Sequence, residues 1–427
     1  MARNGLDTML KQIYLQPTLR GTACLPASKS ISNRVLLLDR MAGGTCRITN
    51  LSDADDTRVL ADALERAAGG GSGETMTIDI GAAGTAMRFL TAYLATRPGR
   101  FRLTGSARMR QRPIGILVEA LRSLGADIRY CGEEGFPPLE IYGRGLRGGR
   151  LGLPAGVSSQ YVSALLMTAP ALEGADLELT LEGTVASRPY IDMTLALMRE
   201  FGGEAAWATP DRLRVGRKPY GRTTPFEVEA DWSAASYWYE LVALCPDAEA
   251  EVLLPGLRAE SVQGDARVSQ LFRPLGVATR FTERGAVLTK AEHGAEPFEA
   301  DLAQQPDLAQ ALVATCAMQR RAFRISGLRS LRIKETDRIA AMQAELGRLG
   351  VRIEACGDDT MTYVPAPDST AADGTAGEPL RTYDDHRMAM CLAPCAYRHP
   401  GLRIAEPGVV TKSYPGFWDE LKRFEQP

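Results

Sequence analysis

Runs of apolar residues alternate with short polar segments along the whole chain, and several of the runs open in the same way. In each of them a polar or small-residue turn leads directly into a mostly apolar stretch, a pattern that predicts a buried helix with a polar beginning. Six stretches share this pattern, and the predicted helices begin near Ser28, Gly84, Ser158, Trp232, Pro306 and Asp385.

A second group of segments consists of helix-like stretches that end with a glycine, before an extended segment. Glycine just past the end of a helix supplies a left-handed conformation that other residues adopt only at a steric cost. These segments therefore predict amphipathic helices with glycine caps. The predicted caps are Gly125, Gly202, Gly276 and Gly350, with a weaker copy at Gly69.

The two groups interleave at one spacing. From Ser28 to Asp385 the helix beginnings lie on average about 71 residues apart, which indicates six copies of one unit. Each copy reads as a strand, a buried helix, a strand, an amphipathic helix and further strands. The predicted fold class is therefore α/β or α+β, with two domains of three copies each. Segments 69–73 and 365–377 are expected to be surface excursions, not domain linkers.

Composition argues against several classes of protein. The 427 residues carry a net charge of −2, which disfavours a basic nucleic-acid clamp, and no apolar run is long enough to span a membrane. The amino-terminal stretch does not resemble a signal peptide, so we expect a cytoplasmic protein. Eight scattered cysteines without a CxxC pair, and only three histidines, predict neither a disulfide framework nor a metal site. The sequence also lacks the P-loop, dinucleotide-binding and nucleophile-elbow motifs.

Polar and cationic side chains are concentrated at the predicted helix beginnings. A helix beginning presents unpaired main-chain N–H groups and a partial positive charge, which together favour anions. Lys29 and Arg34 lie at the beginning of the first predicted helix. Hydroxyl, amide, carboxylate and imidazole groups occur at the beginnings of the other predicted helices. Ordinary capping explains any one of them, but the set predicts a cleft between two domains for a small, multiply anionic ligand.

Lysine is rare in this chain, which has seven lysines against 43 arginines. Lys29, Lys334 and Lys412 each lie in a dense polar string, where a compact ammonium suits phosphate binding or proton transfer. The stretch 108–112 holds three arginines and suits a phosphate or carboxylate clamp. A solvated helix start and an exposed loop are the open alternatives for these strings.

Seven longer strings stand in the order PASKSISNR, GAAGTAMRFL, ARMRQRPI, GVSSQYVSALLMTAP, SRPYID, LRIKETDRI and TYDDHRMAM. They closely resemble the EPSP synthase family of enolpyruvyl transferases, over nearly the whole chain. The resemblance implies a two-domain inside-out α/β barrel with three βαβαββ repeats in each domain and the active site in the interdomain cleft. It also implies transfer of the enolpyruvyl group of phosphoenolpyruvate to the 5-hydroxyl of shikimate 3-phosphate, through a tetrahedral intermediate. Phosphate is released, and no metal or organic cofactor takes part.

The resemblance also assigns roles to residues of this chain. The residues implied to bind shikimate 3-phosphate are Lys29, Ser30, Arg34, Ser158, Ser159, Gln160, Ser187, Tyr190, Asp307 and Lys334. The residues implied to bind phosphoenolpyruvate are Lys29, Gly84, Arg108, Gln160, Arg338, Arg387 and Lys412. Asp307 resembles the family's base for the 5-hydroxyl, and Glu335 its proton donor to the methylene carbon. The implied catalytic set is completed by Lys29, Lys412 and His386.

Two positions depart from the family's pattern near the implied phosphoenolpyruvate site. The chain has Ala82 where the family usually has Asn, and Phe89 where it usually has Pro. Since one expected polar contact is missing, we expect weakened inhibition by glyphosate, the family's inhibitor at this site. A non-catalytic anion-binding protein on the same scaffold is one alternative. A UDP-N-acetylglucosamine enolpyruvyl transferase is another, but its Lys–Asn pair is Lys29-Ser30 here and the 108–112 loop has no cysteine.

The repeat count, with the family's habit of crossing twice between its domains, sets the expected boundaries. Residues 1–27 and 231–427 are expected to form one domain, and residues 28–230 the other. The expected partners are small-molecule substrates, with no nucleic acid and no membrane. We also expect a monomer.

Overall fold

The computed structural model describes residues 10–69, 74–156, 158–365 and 378–426. Most of segments 69–73 and 365–377, which we expect to be surface excursions, lies outside these residues. The chain forms two compact units. We call residues 27–228 the contiguous unit, and residues 10–26 together with the described residues from 229 onward the split unit.

Helices and strands alternate through both units. The strands of the described residues are β1 (Leu10–Ile13), β2 (Arg20–Thr22), β3 (Ile48–Thr49), β4 (Met76–Asp79), β5 (Gly99–Thr104), β6 (Asp127–Tyr130), β7 (Leu139–Gly143), β8 (Arg150–Pro154), β9 (Leu177–Glu182), β10 (Ala205–Thr209), β11 (Arg212–Val215), β12 (Phe226–Glu227), β13 (Glu251–Pro255), β14 (Val277–Thr282), β15 (Gly285–Lys290), β16 (Phe298–Asp301), β17 (Phe323–Ser326), β18 (Glu354–Cys356), β19 (Thr360–Tyr363) and β20 (Leu402–Ala405). The α-helices are α1 (Lys29–Met41), α2 (Asp55–Ala68), α3 (Gly84–Ala95), α4 (Gly115–Ser123), α5 (Ser159–Thr168), α6 (Arg188–Glu200), α7 (Trp232–Leu244), α8 (Val268–Leu271), α9 (Ala309–Met318), α10 (Arg338–Arg348), α11 (His386–Leu392) and α12 (Phe417–Lys422). Short 3-10 helices cover Met109–Gln111, Ala169–Ala171, Gly264–Arg267, Pro306–Leu308, Arg329–Ile333, Ala393–Tyr397 and Pro407–Lys412.

Four four-stranded sheets share one strand order. In β4-β5-β7-β6, β5 pairs in parallel with β4 and antiparallel with β7, which pairs antiparallel with β6. The same order recurs in β8-β9-β11-β10, β2-β13-β15-β14 and β16-β17-β19-β18. A parallel pair needs a crossover connection, and α3, α5 and α9 provide it in three of these sheets. The remaining sheets of the described residues are the two-stranded pairs β12-β3 and β1-β20. The fold class is thus mixed, with helices packed on several sheets.

The six predicted helix beginnings are confirmed. α1 and α5 begin one residue after Ser28 and Ser158, whose hydroxyl oxygens accept a main-chain N–H of the first turn. α7 and α11 follow Asp231 and Asp385, whose carboxylates cap them in the same way. α3 begins at its predicted position without a side-chain cap. At Pro306 the predicted helix starts as a 3-10 turn that leads directly into α9.

Four of the five predicted glycine caps are confirmed, and one is wrong. Gly125, Gly202, Gly276 and Gly350 have φ values between +77° and +98°, in the left-handed region. Gly69 has φ of −68°, and its N–H donates to the carbonyl three residues earlier, so α2 ends in a right-handed turn. Gly69 is itself the cap residue of α2, one position before the place where a left-handed glycine normally follows a helix.

Each unit has a hydrophobic core of its own. α3 and α5 in the contiguous unit, and α7, α9 and α11 in the split unit, are buried on nearly every face. A helix that is apolar all round can accommodate polar groups mainly at its ends, and several candidate site residues lie at or just before the first turns of α3, α5, α9 and α11. None of the helices in the described ranges is long and apolar enough to cross a membrane.

Candidate active site

The first turn of α1 carries a lysine that is held by a buried carboxylate. Lys29 is the first residue of the helix, after the cap at Ser28. Its Nζ lies 3.1 Å from Oδ2 of Asp56, on α2, a residue that is 5% exposed. Ser30 follows and is half-buried. The ion pair fixes the ammonium where the helix beginning already favours an anion.

One turn further along α1, Arg34 is a buried guanidinium that donates its hydrogen bonds to neutral oxygens. Its Nε donates to Oγ1 of Thr194 at 2.7 Å, and its Nη2 donates to Oγ of Ser163 at 3.2 Å. Its Nη1 donates to the main-chain oxygen of Ser30 at 2.9 Å. Arg34 is 3% exposed, and burial lowers the pKa of its guanidinium to about 10. A buried cation is normally compensated by an anion, so this arrangement suits an anionic ligand.

The beginnings of α3 and α5 are joined by a side-chain hydrogen bond. Nε2 of Gln160 donates to Oγ1 of Thr85 at 3.1 Å, and the Gln160 main-chain N–H donates to Oγ of Ser158 at 3.3 Å. Ser159, the first residue of α5, lies between Ser158 and Gln160 in the sequence and is buried. The hydroxyls of Thr85 and Ser158 and the side-chain amide of Gln160 therefore lie at two joined helix beginnings, where such groups can serve as neutral partners for phosphate oxygens.

Ser187 and Tyr190 mark the beginning of α6. Ser187 precedes the helix in the left-handed region, with φ of +53°, a conformation that costs a serine about 1–2 kcal/mol. The main-chain oxygen of Tyr190 accepts a hydrogen bond from Nη2 of Arg34 at 3.4 Å. Strained backbone of this kind persists where the surroundings hold it, and such positions cluster at functional sites.

Two buried arginines lie at the beginning of α3. A Cβ atom built on Gly84 would lie 2.5 Å from Nη1 of Arg112, so only glycine lets that guanidinium come so close without a shift. Arg88 donates to the main-chain oxygen of Gly84 at 3.2 Å. Arg108, implied for phosphoenolpyruvate, is exposed at the start of the following 3-10 helix. The arginine string therefore places Arg112 against the helix beginning.

In the split unit, three cations surround one carboxylate. Asp307 lies in the 3-10 turn before α9, and its Oδ2 is 2.9 Å from Nη2 of Arg387. Its Oδ1 lies 3.2 Å from Nη1 of Arg338 and 3.6 Å from Nζ of Lys334. Burial alone would raise the pKa of Asp307, but the positive charges of Arg387, Lys334 and Arg338 hold it well below its ordinary value.

A second carboxylate, that of Glu335, bridges two further cations. Its Oε2 is 2.9 Å from Nη2 of Arg338, and its Oε1 is 2.9 Å from Nζ of Lys412. Arg338, the first residue of α10, is 1% exposed and also pairs through Nε with Oδ2 of Asp385 at 2.7 Å. Burial opposes the charge on Arg338, but Asp385, Glu335 and Asp307 together raise the pKa of this guanidinium. Arg338 therefore links the two carboxylates that the family resemblance implies for catalysis.

The beginning of α11 carries three consecutive polar residues, Asp385, His386 and Arg387. Asp385 caps the helix by accepting the N–H of Arg387 at 2.9 Å. His386 is buried, with Nδ1 3.6 Å from Oδ1 of Asp385. Nη1 of Arg387 donates to the hydroxyl oxygen of Tyr237, on α7, at 3.3 Å. The two ends of the Arg387 guanidinium thus contact Tyr237 and Asp307, which fixes its plane.

Several residues of these clusters are not among the site residues that the family resemblance implies. They are Asp56, Thr85, Arg112, Ser163, Thr194, Tyr237 and Asp385. Thr85, Arg112, Ser163 and Asp385 do lie inside the strings that carry the family resemblance. Asp56, Thr194 and Tyr237 lie outside these strings, and each acts through a partner far away in the chain. Among the described residues, no group of three or more His, Cys, Asp or Glu side chains is arranged to hold a metal ion.

Comparison with known proteins identifies the family. The model of the family described as EPSP synthase (3-phosphoshikimate 1-carboxyvinyltransferase) matches residues 14–421. A Bacteroides fragilis protein named 3-phosphoshikimate 1-carboxyvinyltransferase is 48% identical over 405 residues, covering 95% of this chain and 95% of the relative. A Shewanella halifaxensis protein of the same name is 36% identical over 439 residues, covering 96% and 99% respectively.

Solved structures show the same fold at lower sequence identity. An EPSP synthase from Acinetobacter baumannii has a TM-score of 0.75 at 22% identity, with 98% of each chain covered. The enolpyruvyl transferase NikO from Streptomyces tendae has a TM-score of 0.70 at 17% identity, with 97% of each chain covered. The near-complete family match and the 48% identity to a curated relative establish that this chain belongs to the EPSP synthase family.

Proposed function

We propose that this chain transfers the enolpyruvyl group of phosphoenolpyruvate to the 5-hydroxyl of shikimate 3-phosphate. The products are 5-enolpyruvylshikimate 3-phosphate and inorganic phosphate. The observation that carries this assignment is the 48% identity, over 95% of the chain, to a protein named 3-phosphoshikimate 1-carboxyvinyltransferase. The charged side chains that such a reaction needs are present in both units.

Shikimate 3-phosphate is proposed to bind at the helix beginnings of the contiguous unit. Arg34 supports this assignment most strongly, because a buried guanidinium with neutral acceptors gains an anionic partner when a phosphate or carboxylate binds. The rest of the proposed binding set consists of Lys29, Ser30, Ser158, Ser159, Gln160, Ser187, Tyr190, Asp307 and Lys334.

Phosphoenolpyruvate carries a phosphate and a carboxylate, and its proposed partners are mainly cations. They are Lys29, Gly84, Arg108, Gln160, Arg338, Arg387 and Lys412. Arg338 and Arg387 support the assignment because each is held by two or more partners, one of which is buried, so that little conformational entropy is lost when an anion binds. Arg112, beside Gly84, is added to this set because the close approach fixes a further guanidinium at the beginning of α3.

The proposed chemistry is addition followed by elimination. In the addition, the 5-hydroxyl oxygen bonds to C2 of phosphoenolpyruvate, its proton passes to Asp307, and Glu335 protonates C3. The resulting tetrahedral intermediate has a methyl group. In the elimination, Glu335 takes a proton back from C3, the double bond re-forms, and phosphate leaves with the proton held by Asp307. Each positioned proton transfer is worth about 10²–10⁴ in rate.

The low pKa of Asp307 raises a question for this mechanism, because a carboxylate surrounded by three cations is a weak base. The same cations belong to the proposed anion-binding set. When substrate phosphate and carboxylate groups bind, their negative charges offset those of Arg338, Arg387 and Lys334, and the proton affinity of Asp307 rises. On this account Asp307 becomes an effective base only after both substrates have bound.

The finer architecture is also a proposal. It comprises two domains of three βαβαββ repeats, in an inside-out barrel arrangement with the active site in the interdomain cleft. The domains are residues 28–230 and residues 1–27 with 231–427. Four sheets of identical strand order support the repeat. A monomeric state and a cytoplasmic location remain predictions, as does weak inhibition by glyphosate.

The test is release of phosphate from the purified protein without added metal. We expect release when shikimate 3-phosphate and phosphoenolpyruvate are both present, and none with either one alone. Release with UDP-N-acetylglucosamine in place of shikimate 3-phosphate would assign the chain to the other transferase reaction. Calorimetric binding of shikimate 3-phosphate without any turnover would instead identify an anion-binding protein whose Ala82 site has lost the chemistry.

A further inference from the structure

The segment before α11 contains two successive residues in the left-handed region. Tyr383 has φ of +55° and Asp384 has φ of +54°. They are the central residues of a tight turn, because the N–H of Asp385 donates to the main-chain oxygen of Thr382 at 2.9 Å. Turns with two positive φ values favour glycine, asparagine or aspartate at the central positions. A tyrosine in such a turn is under backbone strain, so surrounding contacts are needed to hold it there.

One buried carboxylate holds this segment at two points. Glu345 lies on α10 and is 1% exposed. Its Oε1 accepts a hydrogen bond from the hydroxyl of Tyr383 at 2.6 Å, and its Oε2 accepts the main-chain N–H of Arg381 at 3.1 Å. Nη1 of Arg348 lies 2.8 Å from Oε2, which keeps the carboxylate paired. Because hydrogen bonds to a charged acceptor are stronger than neutral ones, Glu345 supplies contacts that the strained turn needs.

The turn determines where α11 begins. Asp385 directly follows the two strained residues, caps the helix and pairs with Nε of Arg338 at 2.7 Å. Two residues further, Nη2 of Arg387 lies 2.9 Å from Oδ2 of Asp307. A change in the turn would therefore move one partner of each of these ion pairs.

α10 and this segment are thus joined at two levels. Arg338, the first residue of α10, contacts Asp385, and Glu345, about two helical turns further along α10, contacts Tyr383. The beginning of α11 cannot shift along α10 without breaking one of these contacts. The first contact belongs to the proposed active site, whereas Glu345 and Tyr383 belong to neither of the proposed substrate-binding sets.

We propose that Glu345 and Tyr383 are positioning residues for phosphoenolpyruvate, because their hydrogen bond holds the strained turn that places Asp385 and Arg387. The inference rests on the proposed function, in which Arg338 and Arg387 bind this substrate. Pairing of a guanidinium with a phosphate or carboxylate depends on its orientation. Relaxation of the turn should therefore weaken the binding of phosphoenolpyruvate, although neither positioning residue contacts the substrate.

The first test is Tyr383→Phe, which keeps the ring and removes only the hydroxyl that donates to Glu345. We expect the KM for phosphoenolpyruvate to rise about tenfold, as for the loss of one hydrogen bond to a charged group. The kcat and the KM for shikimate 3-phosphate should stay within about twofold, since a contact that acts on binding alone leaves the chemical step unchanged. Phosphate release at varied substrate concentrations measures all three constants.

A matched control is Tyr239→Phe. Tyr239 is a buried residue of α7 in the same unit, and its hydroxyl forms a hydrogen bond with Oγ1 of Thr279 at 2.8 Å. We expect wild-type values of KM and kcat for this variant. An equal rise in the KM for phosphoenolpyruvate in both variants would contradict the inference, because any lost hydroxyl would then have the same effect. A wild-type KM in Tyr383→Phe, with only a lower free energy of unfolding, would show that the contact is merely structural and would overturn the inference.

A rescue variant tests the part played by strain. Asp384 is exposed, and glycine adopts its positive φ without a steric cost, so Asp384→Gly should ease the turn. In the double variant with Tyr383→Phe, we expect the KM for phosphoenolpyruvate to return to within about threefold of wild-type. A double variant with a KM as high as that of Tyr383→Phe alone would contradict the proposed role of the strained turn.

Glu345→Gln tests the same contact from its other side and replaces Tyr383→Phe if that variant fails to fold. The amide has one oxygen in place of two, so it can keep only one of the two hydrogen bonds that Glu345 accepts. We expect a higher KM for phosphoenolpyruvate, and an unchanged KM would overturn the inference. A wild-type protein that releases no phosphate with both substrates would refute the proposed function itself, so the two failures are distinguishable.

Discussion

Arg34 and Asp307 are in opposite electrostatic situations before any substrate binds. Arg34 is a buried cation that donates its hydrogen bonds to neutral oxygens, and Asp307 is a carboxylate with three cations within 4 Å. Both arrangements cost free energy in the ligand-free protein. The positive charge of Arg34 has no negative partner among the described residues, and three positive charges are concentrated around the single negative charge of Asp307. Anionic ligands relieve both arrangements. They supply a charged partner for Arg34, and their negative charges offset the positive charges of the three cations around Asp307.

Arg34→Met should stabilise the ligand-free protein while abolishing ligand binding. Burial lowers the pKa of Arg34 to about 10, and each unit of such a shift corresponds to about 1.4 kcal/mol, so removal of the charge should raise the free energy of unfolding by about 1–3 kcal/mol. Thr194 and Ser163 keep each other as hydrogen-bond partners at 2.8 Å. Denaturant unfolding and calorimetry with shikimate 3-phosphate measure the two effects.

The control for Arg34→Met is Arg321→Met. Arg321 is also buried and donates to main-chain oxygens of Glu296 and Pro274, but it lies outside the proposed site. Its loss should lower the free energy of unfolding and leave binding of shikimate 3-phosphate unchanged. The account of Arg34 fails if Arg34→Met destabilises the protein as much as Arg321→Met, or if it still binds the ligand.

Glu335→Gln should stop turnover without preventing binding. The amide keeps the shape beside Arg338 and Lys412 but cannot donate a proton to C3, so we expect kcat to fall by about 10²–10⁴ while substrate binding by calorimetry remains. Asp337→Asn is the matched control, because Asp337 caps α10 two residues away and Asn is an equally good capping residue. Wild-type turnover by Glu335→Gln would exclude Glu335 as the proton donor.

At the scale of the element, the ends of the helices are determined by local chemistry. Gly125 ends α4 in the left-handed region with φ of +98°, whereas Gly69 ends α2 at −68°. Neither site would place an added Cβ in a clash, since Gly125 has no atom within 4 Å and Gly69 only a carbonyl oxygen at 3.6 Å. The two glycines therefore differ in backbone conformation and hardly at all in packing.

Gly125→Ala and Gly69→Ala test this difference within one unit. Alanine in the left-handed region costs about 1–2 kcal/mol, so Gly125→Ala should lower the free energy of unfolding by that amount. Gly69→Ala should be neutral or stabilising by up to about 1 kcal/mol, because alanine has less conformational entropy to lose on folding than glycine. Denaturant unfolding of both variants gives the comparison. Equal effects would show that the glycine at 125 is not required by its conformation.

Helix ends could be predicted from the sequence, whereas contacts between distant parts of the chain could not. Helix beginnings at Ser28, Ser158 and Asp385 could be predicted because a cap and its N–H partner lie within a few residues of each other. The ion pairs could not be predicted in the same way, since Asp307 and Arg387 are 80 residues apart and Arg338 and Asp385 are 47 apart.

At the scale of the whole molecule, one strand order recurs in four sheets, and the cation-rich helix beginnings recur with it. Repetition explains how a chain with a net charge of −2 can gather many cations at its proposed sites. Each copy contributes only a few charged or hydroxyl groups at one helix beginning. The remaining surface can then carry enough carboxylates to keep the total charge near zero.

The central claim is that enolpyruvyl transfer proceeds by addition and elimination, and the mass of the product formed in deuterium oxide tests it most directly. Addition places a solvent-derived deuteron on C3 of phosphoenolpyruvate, and elimination then removes a proton or a deuteron from the resulting methyl group. We expect 5-enolpyruvylshikimate 3-phosphate to carry deuterium in its methylene group. Product of natural mass would contradict protonation at C3, and the absence of any product would contradict the proposed function.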